Sequence, residues 1–96
     1  MNHIFKSTGI YIGFIANGFL FSRDGEYLGW IENTFVWDAK GRFRGQIWQE
    51  KYIIYNPFAV SPVPRTPRSA PQTPVVPPPP ANITPIGLPT GWADSF

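Results

Sequence analysis

Apolar and glycine positions recur along this chain at an interval of 16 residues. Each copy of the repeat carries an aromatic residue, a turn glycine, a second aromatic residue, a strand glycine and an isoleucine, in that order. A unit this short has room for two brief strands and two turns, so each copy predicts one β-hairpin. The repeated positions are Phe5, Phe21 and Trp37; Gly9, Gly25 and Gly41; Tyr11, Tyr27 and Phe43; Gly13, Gly29 and Gly45; and Ile15, Ile31 and Ile47.

The turn residues divide each copy into its two strands. Gly9, Gly25 and Gly41 stand third in loops that suit a type I turn followed by a left-handed residue, a place that favours glycine. The opposite loops contain Asn17 and Asn33, and asparagine tolerates turn geometry. A fourth, degenerate copy follows that lacks both glycines. We therefore expect strands near 3–6, 10–15, 19–22, 26–31, 35–38, 42–47 and 52–55, with 58–60 as the partner of the last.

Loops of this length keep odd-numbered positions together on one face of the sheet. Phe5 then faces Tyr11, with equivalent pairs in the other copies, and an aromatic ring such as Trp37 covers the gap left by Gly29. The odd face carries the aromatic, glycine and isoleucine positions, so we predict that it forms the core. The even face is apolar in the first copy and polar in the third. Because the second copy still places Trp30 there, we expect the tail to cover the even face.

Proline content divides the chain in two. The chain has 12 prolines, all between Pro57 and Pro89, which predicts a β-hairpin repeat domain of residues 1–60 and a Pro-rich extended tail of residues 61–96. Four prolines of the tail recur every three residues, which is the period of a polyproline II helix and places them on one edge. These prolines are Pro71, Pro74, Pro77 and Pro80.

The tail admits two interpretations before its last residues. A proline-rich segment suits a semi-rigid spacer, and the stretch from Arg68 to Pro74 also suits a ligand for SH3-type aromatic grooves. Trp92 and Phe96 restore hydrophobicity at the end. Because large aromatic side chains are seldom left in water, they predict a C-terminal aromatic anchor docked on a β-domain, either its own or a neighbour's.

Composition and charge disfavour several functional classes. The chain has 96 residues and no cysteine, so no disulfide or thiolate metal site is expected. Its formal net charge is only +2, and the sequence lacks the basic stripe that is typical of a nucleic-acid binder. We find no signal-peptide pattern and no membrane-spanning run, so we expect a cytoplasmic protein, or one peripheral at a membrane. His3 is the one histidine and has no partner for a metal or a nucleophile, so we expect no enzyme, catalytic residue, metal or cofactor.

One local cluster of basic residues is the strongest candidate for ligand binding. Lys40, Arg42 and Arg44 lie close in sequence, and in the predicted register the last two share the even face with Trp30 and Trp48. An aromatic and basic patch of this kind suits an anionic group such as a lipid headgroup or a phosphate. A solvated strand edge that discourages aggregation is the other interpretation.

The repeated motifs resemble those of the four-fold β-flower proteins, a group of short, mostly bacterial sequences. The resemblance rests on residues 21–30 and 37–45, on Tyr55-Asn56-Pro57-Phe58 before a Pro-rich stretch, and on Gly91-Trp92-Ala93-Asp94 near the end. It implies a shallow, pseudo-symmetric antiparallel barrel with an apolar central channel. That architecture is similar to the Tubby C-terminal-like domains, some of which bind phosphoinositides or act at membranes, although a fold does not fix a function.

A second resemblance concerns residues 29–38. This segment is similar to the glycine-tryptophan hairpins of choline-binding repeats, which build aromatic cages for quaternary ammonium groups between successive hairpins. The period of the present repeat is shorter than that of those proteins, and the first copy has no tryptophan.

Together these observations predict an all-β fold of four 16-residue hairpin-like repeats in a small shallow antiparallel barrel, followed by the tail and its aromatic anchor. The predicted function is a non-catalytic binding or scaffolding module with an apolar or lipid ligand in the central channel. A protein-interaction adaptor that uses the proline-rich tail, and a choline- or carbohydrate-type ligand bound by aromatic hairpins, remain the alternatives. Expected partners are a second copy of the chain or another protein, and not nucleic acid.

Overall fold

The computed structural model describes residues 2–59, 62–72 and 74–96. The described residues form eight β-strands and no helix. The first seven strands lie within one residue of their predicted positions, so the hairpin pattern was predicted correctly up to β7. The strands are β1 (Asn2–Phe5), β2 (Tyr11–Ala16), β3 (Phe19–Ser22), β4 (Tyr27–Glu32), β5 (Phe35–Asp38), β6 (Phe43–Trp48), β7 (Tyr52–Tyr55) and β8 (Ala93–Asp94).

The first seven strands close into a barrel. Consecutive strands pair antiparallel from β1 to β8, and β1 also pairs with β7 in parallel. At this closure Phe5 lies opposite Tyr52, and the Phe5 N–H donates to the Lys51 carbonyl at 2.7 Å. The molecule measures 36 × 35 × 17 Å. The prediction of a small, shallow all-β barrel is therefore confirmed, although its closing pair is parallel.

The turn glycines behave as their position predicts. Gly9, Gly25 and Gly41 have φ values of 89°, 92° and 84°, in the left-handed region where a side chain is strained. In each case the glycine N–H donates to the carbonyl three residues earlier, which closes the loop. The three long hairpins of the barrel are therefore set by these glycines.

A β-bulge interrupts each of these hairpins and changes which residues share a face. In the second copy, Leu20 pairs with Gly29 but Phe21 pairs with Tyr27, so Leu28 is an extra residue on β4. The predicted pairing of the aromatic residues is confirmed. Because a bulge places two residues opposite one, the simple alternation of odd and even positions does not hold across it. The equivalent shifts fall between Ile4 and Phe5 and between Val36 and Trp37.

The strand glycines allow the backbone of the neighbouring strand to approach closely. The prediction that an aromatic ring covers Gly29 was wrong. The bulge brings Gly29 opposite Leu20 and Asp38. A Cβ atom on Gly29 would lie 1.9 Å from the Trp37 carbonyl oxygen, far inside van der Waals contact. The equivalent distances are 2.1 Å from Gly13 to the Phe21 oxygen and 2.2 Å from Gly45 to the Ile54 oxygen.

The centre of the barrel is aliphatic, which corrects the assignment of the core to the odd face. Ile4, Leu20, Val36 and Ile53 are buried and form one cluster. The first three are even-numbered residues, and the bulges explain why they point inward beside odd-numbered isoleucines. The partly buried side chains packed against the cluster are Ile12, Ile15, Leu28, Ile31, Ile47 and Phe96.

The partner of β7 comes from the end of the chain, and the prediction of a partner strand at 58–60 was wrong. Ile54 pairs with Asp94 and Tyr55 pairs with Ala93. Phe58 is 89% exposed, and its N–H donates to the Asn56 side chain in a turn. Pro57 supplies no N–H to a ladder, which favours that turn over a strand. Residue 60 lies outside the described residues.

The tail, defined here as the described residues of 62–96, follows the repeat units in reverse order. The Arg65 N–H donates to the Gly41 carbonyl in the third copy, and the Ile83 N–H donates to the Gly9 carbonyl in the first. The chain then reaches β7, where it contributes β8. The tail therefore passes along the outside of the barrel before it joins the sheet.

Candidate functional site

Paired aromatic rings form a layer outside the aliphatic centre, which we call the outer aromatic layer. Phe14 lies opposite Phe21 on the paired strands β2 and β3, and their ring centroids are 5.3 Å apart. Trp30 lies opposite Trp37 on β4 and β5, at 6.5 Å. Directly opposite residues of an antiparallel pair project from the same face. Both tryptophans are fully buried, which requires another segment to cover them, and that segment is the tail.

Two arginines of the tail meet one glutamate of the barrel, at what we call the arginine site. Arg65 Nη2 lies 3.1 Å from Glu32 Oε2, and Arg68 Nη2 donates to Glu32 Oε1. The Arg65 guanidinium lies over the Trp37 ring at 5.2 Å from its centroid, and that of Arg68 lies over Trp30 at 4.7 Å. Each arginine thus combines an ion pair with a cation–π contact.

The strands position the acidic side of this site. Glu32 follows Trp30 by two residues on β4, so the two side chains lie on one face. The Trp30 Nε1–H donates to Glu32 Oε1 at 3.2 Å, which orients the carboxylate. The Tyr27 hydroxyl donates to the Arg68 carbonyl at 3.2 Å. Burial raises the pKa of Tyr27 above its usual value, and the Arg68 charge only partly opposes that change, so the hydroxyl stays a donor at neutral pH.

The proline-rich part of the tail turns one edge toward the barrel. Its four prolines with spacing three are half-buried, and the described residues that separate them are exposed. Pro71 and Pro74 face Phe19 and Phe21 across a cavity of about 520 Å³. A proline edge turned toward aromatic rings is a feature of polyproline II recognition, although here the cavity separates the prolines from the rings. The half-buried prolines are Pro71, Pro74, Pro77 and Pro80.

Backbone contacts hold the tail at the turns of two repeats. The Arg65 N–H donates to the Gly41 carbonyl at 2.8 Å, and the Ile83 N–H donates to the Gly9 carbonyl at 2.9 Å. A Cβ atom on either glycine would lie 1.9 Å from the carbonyl oxygen of the tail residue that it binds. The turn glycines therefore serve both the hairpin and the tail.

The sequence carried a signal for these two docking points that the prediction did not use. Arg65-Thr66-Pro67 and Ile83-Thr84-Pro85 share the pattern X-Thr-Pro, and the residue X makes the backbone bond in both. Proline disfavours helical geometry at the residue before it, so the threonine stays extended. A repeated tripeptide in the tail opposite a repeated glycine in the barrel indicates equivalent contacts.

The end of the tail is fixed by polar and apolar contacts. The backbone N–H and the hydroxyl of Ser7 donate to the two carboxylate oxygens of Asp94, at 2.8 and 2.7 Å. Trp92 packs against a buried cluster that includes Phe5 and Tyr11. Phe96 packs on the aliphatic centre. These contacts join the two ends of the described chain.

An aromatic pocket of about 210 Å³ lies where the tail begins and ends. Its walls combine two strands of the barrel with residues from both ends of the tail. No carboxylate is among its described lining residues, so a cation there would depend on the aromatic rings alone. The lining residues are Phe35, Phe43, Gly45, Gln46, Tyr55, Asn56, Ala59, Pro62 and Trp92.

Comparison with known proteins gives the family of this chain. A family model described as 4-fold beta flower protein matches residues 1–95. The chain belongs to the 4-fold beta flower proteins. The match covers both the repeat region and the tail, so the resemblance inferred from the motifs is confirmed. No curated protein and no solved structure matches the chain.

The beta flower fold separates the four residues that the sequence suggested for ligand binding. Trp30 is buried beneath Arg68, whereas Trp48 packs on Tyr52 at 6.0 Å, in the cluster that the end of the tail covers. Arg42 Nε and Arg44 Nη1 both approach Asp38 Oδ2, at 2.9 and 3.8 Å. The structure therefore brings Arg42 and Arg44 together on a carboxylate.

The environment of that carboxylate explains its charge. Burial alone would raise the pKa of Asp38, but hydrogen bonds from Arg42 and from the Lys40 N–H outweigh burial and hold the pKa below its usual value. Arg44 also lies over the ring of Phe96, at 4.1 Å from its centroid. These contacts hold Arg42 and Arg44 beside Asp38, and the Arg42 side chain is still 65% exposed.

Two further observations concern the described part of this beta flower protein. Its residues contain no group of three or more histidine, cysteine, aspartate or glutamate side chains that could hold a metal ion. The same residues include no helix of the length and hydropathy that crossing a membrane requires.

Proposed function

We propose that this beta flower protein is a non-catalytic binding module whose barrel binds an extended, proline-bearing chain, and that its own tail occupies the binding face. The observation that carries this proposal is the arginine site, where Arg65 and Arg68 of the tail meet Glu32 and two buried tryptophans. The inward edge of prolines and the backbone bonds at Gly9 and Gly41 support it.

The proposal includes a fourfold plan for the whole chain. The first three units are the hairpins β1–β2, β3–β4 and β5–β6, and the fourth consists of β7 with β8 from the tail. Trp92 and Phe96 then act as the aromatic anchor that holds β8 in place. Their packing on the two buried clusters supports this role.

The other functional hypotheses have less support. An adaptor that offers its proline edge to an SH3-type partner needs that edge exposed, whereas Pro71, Pro74, Pro77 and Pro80 are half-buried. A lipid in the central channel needs space among Ile4, Leu20 and Val36, whereas these residues pack together with Phe96 against them. Binding at the outer surface is the hypothesis that the contacts favour.

The proposal is tested by cutting the folded protein between barrel and tail. A sequence-specific protease site is inserted between Val63 and Pro64, both of which are exposed. The purified, folded protein is cleaved and then mixed with an excess of a labelled synthetic peptide of residues 64–96. If the tail is a ligand, the cut tail stays bound under native conditions and exchanges with the labelled peptide, as native mass spectrometry would show.

A second peptide provides the control for this experiment. It carries Arg65→Gln and Arg68→Gln and should exchange in more weakly by about tenfold, because two charge-assisted contacts are lost. Equal exchange of the two peptides would contradict the proposal, since the arginine site would then contribute nothing to the binding of the tail. Failure of the tail to exchange over days would contradict it as well.

A further inference from the structure

We propose that the arginine site is a specific receptor for two arginines at positions i and i+3 of a polyproline II segment in a partner protein. This inference rests on the proposed function and adds the sequence that the barrel recognises. Glu32, Trp30 and Trp37 form the receptor, and Arg65 and Arg68 of the tail occupy it in the free protein.

The spacing of the two arginines matches the geometry of an extended proline-rich chain. Polyproline II has three residues per turn, so residues three apart lie on the same edge. Arg65 and Arg68 have this spacing, and each one reaches a different oxygen of Glu32. Because one carboxylate binds both guanidinium groups, we expect the site to select ligands whose two arginines are three residues apart.

The receptor side of the site is held ready by the barrel. Trp30 and Trp37 lie opposite each other on paired strands, and the Trp30 Nε1–H orients the Glu32 carboxylate. Each tryptophan offers a ring to one guanidinium. Arginine suits this combination better than lysine, because its planar group can pair with a carboxylate and stack on a ring at the same time.

The two arginine side chains on the ligand side of the site are partly exposed, which makes them replaceable, although the Arg65 N–H and the Arg68 carbonyl also bind the barrel. The side chains of Arg65 and Arg68 are 55% and 47% exposed, and the residues on both sides of this segment are exposed. Exposed ion pairs individually contribute little to stability. A partner segment with the same two arginines can therefore displace residues 65–68 while the rest of the tail stays docked.

The test uses the full chain with its own arginines removed from the site. The variant Arg65→Gln/Arg68→Gln retains the tail and removes both guanidinium groups from the receptor. A fluorescent peptide of residues 63–71, Val-Pro-Arg-Thr-Pro-Arg-Ser-Ala-Pro, is titrated into this variant and into the natural protein, with anisotropy as the readout. We expect the variant to bind the peptide at least about tenfold more tightly, because no internal ligand competes.

Three controls establish which contacts matter. Adding Glu32→Gln to the variant should weaken peptide binding by about tenfold, because both ion pairs are lost. A peptide with lysine in place of both arginines should also bind about tenfold more weakly. A peptide in which Pro67 is deleted, so that the arginines are two apart, should lose binding to the same extent.

The inference would be overturned if the variant bound the spaced and the deleted peptides equally, or if Glu32→Gln had no effect. A peptide that failed to bind the variant, while the cleaved tail exchanged as proposed above, would overturn the arginine receptor and leave the proposed function intact. Self-association of the natural protein that Glu32→Gln abolished would assign the receptor to a second copy's tail, and would overturn the proposal of a different partner.

Discussion

At the scale of single residues, equivalent turns in the repeat are capped by different side chains. Ser22 Oγ accepts the N–H groups of Asp24 and Glu26, at 3.2 and 3.1 Å. In the next copy, Asp38 Oδ1 accepts those of Lys40 and Arg42, at 2.9 and 3.0 Å. A short side-chain oxygen at this place satisfies the amides of the loop. Of these two capping residues, only Asp38 is charged.

The charge of Asp38 predicts an acid-sensitive stability. Because its folded pKa is lowered, Asp38 stabilises the fold above the pKa that it has in the unfolded chain, and that contribution disappears as pH falls through the folded pKa. Asp38→Asn should therefore cost about 1 kcal/mol at pH 7 and should flatten the dependence on acid below about pH 4. Urea unfolding at pH 7 and pH 3 measures both effects.

The matched control for Asp38 is Asp24→Asn. Asp24 is exposed in the equivalent loop of the second copy, so its substitution should leave the acid dependence as it is in the natural protein. An Asp38→Asn variant that lost as much stability on acidification as the natural protein would contradict the role given to this carboxylate.

Substitutions of two glycines that have similar backbone conformation can distinguish the cost of strain in a turn from the cost of displacing the tail. Gly9 and Gly18 have φ values of 89° and 80°. A Cβ atom on Gly9 would collide with the Ile83 carbonyl, whereas on Gly18 the nearest atom is the Ile31 oxygen at 4.0 Å. Gly18→Ala should cost about 1 kcal/mol from strain alone. Gly9→Ala should cost about 1–3 kcal/mol more, because the tail must move.

Denaturant unfolding of the two variants, compared with the natural protein, measures this difference. Equal losses of stability in Gly9→Ala and Gly18→Ala would mean that the tail does not rest on the Gly9 turn.

At the scale of strands, the repeat made the first seven strands predictable, but it gave no indication of the eighth. Turn glycines fixed where the hairpins fold, so β1 to β7 could be placed from the sequence. The bulges could not, because nothing in the 16-residue period marks Leu28 as an extra residue, and the inward position of Leu20 depends on it. The strand β8 has only two residues and pairs with β7 across a long stretch of chain, so no local pattern indicated it.

The candidate site was only partly predictable for the same reason. The proline spacing and the aromatic end of the tail are visible in the sequence. Which barrel residues they contact depends on the path of the tail, which the sequence does not indicate. Arg65 and Arg68 pair with Glu32, and no repeat or spacing in the sequence relates these positions. The tryptophans at 30 and 37 were recognised as important, but their partners were not.

The attachment of β8 predicts that substitution of Asp94, a partly buried residue near the end of the chain, lowers stability strongly. Asp94→Ala removes the acceptor of two hydrogen bonds from Ser7 and should destabilise the protein by about 2 kcal/mol, since bonds to a charged group are among the stronger ones. Thermal or urea unfolding measures the loss.

The control for Asp94 is Glu26→Ala, a carboxylate at an exposed position of a hairpin, which should change stability by less than about 0.5 kcal/mol. If Asp94→Ala behaved like Glu26→Ala, the contact with Ser7 would not hold β8 in the sheet.

At the scale of the whole molecule, the barrel and its tail depend on each other. A folded region of this size buries only about 60% of the surface that its unfolded chain exposes, and it is marginally stable. The tail covers part of the apolar surface that such a barrel leaves open, through Ile83, Ile86, Leu88 and Trp92 on the cluster of Phe5. If the tail is the ligand of the barrel, as proposed, these contacts link the stability of the fold to its function.

Amide hydrogen exchange on the natural protein, resolved by residue with NMR, tests this dependence most directly. The account predicts that the N–H groups of Arg65, Ile83 and Ile86, which donate to the barrel backbone, exchange at least about tenfold more slowly than expected for an unstructured chain. The N–H groups of Ser69 and Ala70, in an exposed stretch between docking points, should exchange at the unstructured rate. If all five exchanged equally fast, the tail would not be docked and the central claim would be wrong.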